Sequence, residues 1–124
     1  MIAGQVTSDG NEAVLLLDVE DWNGNTHEIR AIVDTGFDRY LTLPPKVIGL
    51  LGLSRRGSTR AVLADGSVRD IDTYGATVVW NGKKRNIEVQ RAKTVPLVGM
   101  SLLSGYGLWI ACEANGVVEV SELT

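Results

Sequence analysis

Residues 31–44, AIVDTGFDRYLTLP, run three apolar or small side chains, Ala31, Ile32 and Val33, straight into the carboxylate of Asp34. Thr35 and Gly36 follow at once, and Gly36 is free to take almost any backbone angle. An acid at the end of a buried strand costs several kcal/mol unless partners satisfy it. Such a cost points to a purpose, and the surrounding residues have to say which.

Upstream, Ala13 to Val19 is an apolar-rich run that reads as a strand. It is followed by DWNGN, in which Asn23 and Gly24 predict a two-residue hairpin turn. His27 to Val33 returns as the partner strand and delivers Asp34. Downstream, Tyr40 to Leu43 alternates as a short strand. Pro44 and Pro45 then open KVIGLLGL, where Val47, Ile48, Leu50 and Leu51 predict one face of a short helix ending near Gly52. In RAVLADGSVRDID, Asp65 and Gly66 sit between alternating, partly polar arms and predict a projecting hairpin. Thr77 to Trp80 leads into the turn Asn81-Gly82, and Lys83 to Val89 returns. The final third holds VPLVGMSLLSGYG with a short helix near Ser101, the strand YGLWIAC, a turn at Asn115-Gly116 and a closing strand VVEVS. The chain is all-β with one or two short helices. A faint repeat runs through it: Trp22-Asn23-Gly24 and Trp80-Asn81-Gly82 read as equivalent hairpin tips, followed by IVDTG and PLVG.

At 124 residues, 44% apolar and 22% charged, the chain reads as one globular domain, residues 1–124. A net charge of −3 argues against general nucleic-acid binding, which needs a basic face. Arg55, Arg56 and Arg60, around Gly57 and Ser58, read as a solvated loop. Cys112 is the single cysteine, so no internal disulfide forms. It reads as a buried structural thiol on a strand, in a reducing, cytoplasmic setting. The opening MIAGQVTSDG does not read as a signal peptide, and no run is apolar enough to predict a membrane span. One histidine, His27, argues against a metal cluster and against a Ser–His–Asp or Cys–His arrangement. Glycine-rich phosphate loops are missing too, so neither a metal nor a cofactor is expected.

Asp34-Thr35-Gly36 alone is a short motif, but its context is demanding. An apolar strand precedes it, a strand and a proline-started helix follow, an ADGS hairpin stands at mid-chain, and an apolar-apolar-glycine element, Leu97-Val98-Gly99, ends the series. From about Val14 to Val120 the chain resembles the retropepsin-like aspartic peptidases, most closely the single-domain bacterial and archaeal branch whose motif reads DTGF. The resemblance implies an acid-protease barrel that functions as a symmetric homodimer. It implies an aspartic endopeptidase acting on peptide or protein substrates, with Asp34 as the catalytic acid/base. Thr35 would hydrogen-bond across the dimer axis, and Gly36 would let substrate backbone pass close. Ala64, Asp65 and Gly66 would form the tip of a flap over the substrate. Phe37, Asp38 and Val98 would line or back the binding cleft.

The chemistry agrees with this. Amide hydrolysis by water needs a base to take a proton and an acid to protonate the leaving nitrogen. Two adjacent carboxylates share one proton and divide these roles. The sequence offers one such Asp per chain, with Val98 before Gly99 in the second half, so two copies are required to complete a site. The interface is expected around Asp34 and along Ile2 to Thr7 and Val117 to Ser121. Three departures from the family pattern stand out. Phe37 replaces a small residue, Met100 stands where an arginine pairs with the acid at position 38, leaving Arg39 to compensate, and Ser101 replaces Asp or Asn. The intact Asp34-Thr35-Gly36 favours the enzyme, while Phe37 and Met100 point toward an alternative reading: a catalytically weak or inactive dimer that binds a peptide or partner protein as a regulatory module.

Overall fold

The computed structural model describes residues 1–124 and contains ten strands and two short helices. In chain order the strands are Ile2–Val6 (β1), Ala13–Glu20 (β2), Thr26–Val33 (β3), Leu41–Leu43 (β4), Ser54–Val62 (β5), Val68–Trp80 (β6), Lys83–Arg91 (β7), Leu97–Val98 (β8), Tyr106–Ile110 (β9) and Val117–Glu122 (β10). Helix α1 covers Pro45–Leu51 and α2 covers Met100–Leu103. All ten strands join one sheet, ordered β5-β6-β7-β4-β8-β3-β2-β1-β10-β9, and β6 also pairs with β2. That second pairing folds the sheet over on itself around the core.

Local sequence explains most of these elements. Pro45 sits in the first turn of α1, where its missing N–H costs nothing. Gly52 ends the helix in the left-handed conformation at φ 64°; its N–H donates to the Gly49 carbonyl oxygen at 3.2 Å and the Leu53 N–H to the Ile48 carbonyl oxygen at 3.3 Å. The helix buries Ile48 and Leu51 but turns Leu50 outward at 72% exposure, so the expected four-residue apolar face loses one member. The core gathers Leu15, Leu17, Val19, Leu41, Leu43, Val78, Val89 and Val98 among its 19 residues. Each fully buried Leu or Val contributes roughly 1.5–3 kcal/mol by leaving water.

Turn chemistry divides more sharply than the sequence indicates. Asn81 and Gly82 form a true two-residue turn, with φ of 52° and 78° between the paired residues Trp80 and Lys83. Asn23 and Gly24 do not. The β2–β3 connection is a five-residue loop between Glu20 and Thr26, held by the Asp21 carboxylate. That carboxylate accepts the N–H groups of Asn23 at 2.9 Å and Asn25 at 3.0 Å, and lies 2.8 Å from His27 Nε2. An aspartate that satisfies the loop's own donors outweighs the Asn-Gly preference. The two tryptophans differ accordingly: Trp22 is 74% exposed in this loop, whereas Trp80 is 2% exposed at the end of β6.

Strand pairing frames the internal repeat differently. β3 pairs in parallel with β8, β4 pairs in parallel with β7, and β4 meets β8 antiparallel at Leu41 and Val98. The matching series are therefore β2-β3-β4-α1 and β6-β7-β8-α2. The counterpart of the Asp34 loop is the connection Ala92 to Pro96, which holds no carboxylate. Leu97-Val98 corresponds to β4, not to the strand before Asp34.

Three further expectations change. Arg55, Arg56 and Arg60 lie on strand β5 rather than in a loop. Cys112 is exposed and lies beyond the end of β9, because the chain leaves the sheet at Ala111. Strands β1 and β10 pair with each other, and their outer edges are taken by β2 and β9 within the same chain. Neither has an edge left for a second copy, and the free edge at this end of the sheet belongs to β9. No helix is long and apolar enough to cross a membrane.

The Asp21 loop yields a pH test. The bond to His27, followed by the Asn25 and Asn23 amides, holds the Asp21 carboxyl below its ordinary value against an opposing desolvation. A lowered folded-state value means that the unfolded chain takes up the proton first. This contribution to stability is complete above the unfolded value, near 3.9, and fades as pH falls through the lowered one. Asp21→Asn should therefore melt below wild type at neutral pH, and the gap should narrow as pH falls below about 3.9. A gap constant over that range would show that Asp21 acts through shape alone.

Candidate active site

Asp34 follows the last residue of β3, and its position is fixed from behind. Its N–H donates to the carbonyl oxygen of Val98 at 2.9 Å, extending the parallel β3–β8 pairing by one bond. Its own carbonyl accepts the Phe37 N–H at 3.1 Å, which closes a tight turn over Thr35 and Gly36. The Gly36 N–H donates to Asp34 Oδ1 at 2.9 Å. Gly36 is not in a left-handed conformation. What the glycine avoids is contact, since a Cβ there would stand 3.2 Å from that same carboxylate oxygen.

The loop is braced by the second half of the chain. Gly99 N–H donates to Tyr40 O at 3.0 Å, Met100 N–H to Phe37 O at 2.8 Å, and Ser101 Oγ to Asp38 O at 2.6 Å. Buried Thr42 accepts the Leu97 N–H on its hydroxyl at 2.9 Å, tying β4 to β8. Arg85 donates to Leu102 O at 3.0 Å at the end of α2, and its guanidinium lies 5.6 Å from the centre of the Tyr40 ring. Ser101 thus bonds the loop backbone.

The remaining residues named from sequence fall into four places. Thr35 is exposed beside β9 and lines one cavity with Tyr106 and Leu108 and another with Ile110. Phe37 lays its ring over Gly99 and, with Asp38, lines a cleft of about 450 Å³. Val98 is wholly buried, so it supports the loop through its carbonyl and offers no side chain to a substrate. Ala64, Asp65 and Gly66 form the exposed tip of the β5–β6 hairpin, as expected. The Asp65 carboxylate is spent inside the turn on Ser67, accepting its hydroxyl at 2.6 Å and its N–H at 2.9 Å. These two bonds hold its carboxyl below the ordinary value. Of that hairpin, only the part just behind the tip, at Arg60, Ala61, Val62 and Ile71, shares the cleft with Phe37 and Asp38. Arg39 turns to Glu88 at 3.8 Å instead of pairing with Asp38. Sequence reading missed Arg60, Ile71 and Arg91 as cleft residues; the signal for the first was its alternating position along β5.

Fold comparison places this arrangement among known proteins. The chain superposes on a retropepsin-like aspartic protease from Rickettsia conorii with a TM-score of 0.61 at 19% identity, covering 98% of this chain and 94% of that one. It superposes on EIAV protease, in a complex with an inhibitor, with a TM-score of 0.60 at 16% identity, covering 75% and 86%. The fold is retropepsin-like. No family model and no curated protein matches the sequence.

A methyl group at Gly99 tests the bracing. Its Cβ would collide with the carbonyl oxygen of Arg39 and stand 2.6 Å from the Phe37 ring and 2.7 Å from the Phe37 carbonyl oxygen. Backbone on two sides leaves no room for relaxation. Gly99→Ala should cost roughly 1–3 kcal/mol in a denaturant melt and shift the amide resonances of Phe37 and Arg39. Unchanged resonances would mean that the Asp34 loop is not held from this side.

Proposed function

We propose that the chain is a single-domain aspartic endopeptidase that works as a homodimer, with Asp34 of each copy forming the acid pair. The observation that carries this reading is the Asp34 loop itself. In a retropepsin-like fold, an aspartate at a strand end has its main chain anchored on Val98 and its carboxylate pinned by Gly36. In the proposed reaction one carboxylate takes a proton from water as the water oxygen attacks the peptide carbonyl carbon. The partner carboxyl hands its proton to the amide nitrogen as the C–N bond breaks. A shared proton keeps the two groups from being ionised side by side.

The requirement for two copies has a matching surface. β9 leaves one edge unpaired, and Thr35 stands beside Tyr106, Leu108 and Ile110 of that strand. Unpaired backbone next to apolar side chains favours addition of another strand. Pairing β9 with its equivalent in a second copy would bring the two Asp34 loops toward one axis. A second reading, a non-catalytic dimer that binds a peptide, is favoured by one feature: Asp38 has no ion-pair partner, and Met100, where the resemblance implies a pairing arginine, is 48% exposed.

Cleavage of a peptide library by wild type and by Asp34→Asn decides between them. Asp34→Asn should abolish cleavage while melting at or above wild type, because Asn keeps the bond from the Gly36 N–H and removes the repulsion between acids. Specific activity should fall on dilution as dimers dissociate. Equal cleavage by both proteins, or activity strictly proportional to concentration far below any dimer constant, sinks the proposal. Silence from wild type together with peptide binding supports the second reading.

A further inference from the structure

The three arginines near Gly57 go to three different places. Arg55 pairs with Asp72 at 3.1 Å, and Arg56 lies against Gly75 on the neighbouring strand. Arg60 instead lines the cleft of about 450 Å³ that opens beside the Asp34 loop. Arg39 and Arg91 line the same cleft, and Asp38 is the one carboxylate that does so. Arg39 leans to Glu88 at 3.8 Å, whereas neither Arg60 nor Arg91 has a carboxylate partner. Asp70 stands opposite Arg60 in the β5–β6 register without forming an ion pair with it. A chain of net charge −3 has thus placed two uncommitted guanidinium groups in one concave site. Phe37, Val62 and Ile71 add apolar surface to the same cleft.

From this juxtaposition we infer that the cleft selects peptides carrying an acidic side chain, which Arg60 and Arg91 receive while Phe37 and Ile71 pack an adjoining apolar residue. Guanidinium binds carboxylate with a planar two-point geometry that a neutral amide cannot reproduce. The apolar walls lower the local screening and strengthen the attraction. The inference names the substrate class of the site proposed above, and so rests on that reading.

Binding to the Asp34→Asn protein, measured by fluorescence anisotropy, separates the two. Peptides of one length and one apolar pattern would be compared with Asp or Glu at each position in turn against Asn or Gln. The best acidic peptide should bind about tenfold more tightly than its amide twin, and the advantage should shrink as salt is raised. Arg60→Gln combined with Arg91→Gln should bring the pair to parity, while Arg60→Lys with Arg91→Lys should keep part of the preference and so exclude misfolding as the cause. Parity in the unmodified cleft, or a preference that survives both glutamine substitutions, overturns the inference. If wild type cleaves with no acidic preference, the substrate class is wrong and the peptidase stands. If it cleaves nothing while the acidic preference holds, the peptidase reading falls and the binding cleft remains.

Discussion

The hydrogen bond from the Asp34 N–H to the Val98 carbonyl is the constraint on which the site depends. It is the last rung of the short parallel pairing between β3 and β8, and it joins the two halves of the chain at the acid. The reciprocal pairing of β4 with β7, and the meeting of β4 with β8 at Leu41 and Val98, lock the crossing from the other side. Parallel rungs between segments more than sixty residues apart need the rest of the sheet to close first. A short stretch of backbone is therefore held in place by the whole fold, which is what a group that must be aimed requires.

Gly99 shows how tight this crossing is. The glycine sits where the Arg39 and Phe37 carbonyl oxygens converge, and the Phe37 ring closes over it. Phe37 therefore fills the space above a glycine. The same residue lines the cleft.

Much of this was legible in the sequence because the signals were local. Pro45 and Gly52 bracket α1, Asn81-Gly82 makes its tight turn, and the apolar run into Asp34 ends where the strand ends. What failed was non-local. The Asn23-Gly24 turn yielded to Asp21, whose bonds reach Asn25 and His27. The repeat was misframed because similarity of IVDTG to PLVG is a matter of residue type, whereas the pseudo-symmetry is a matter of which strand pairs with which. Cys112 resembles its strand neighbours in polarity, yet the chain has already left the sheet. Cleft residues such as Arg91 come from distant segments, and no spacing along the chain announces their meeting.

Strand β6 runs without a break for 13 residues, from the hairpin tip to Trp80, whose indole meets the Tyr106 ring edge-on at 5.6 Å. Its first three residues, Val68 to Asp70, are exposed, while Thr73, Ala76, Val78 and Trp80 are buried. One continuous ladder therefore passes through two regimes of local stability. The outer rungs can open at little cost, while the inner ones open only with the core. In hydrogen exchange this strand would grade from fast to slow along its own length, with the change near Ile71, the residue that lines the cleft. The strand thus keeps its looser hydrogen bonds on the tip side of Ile71.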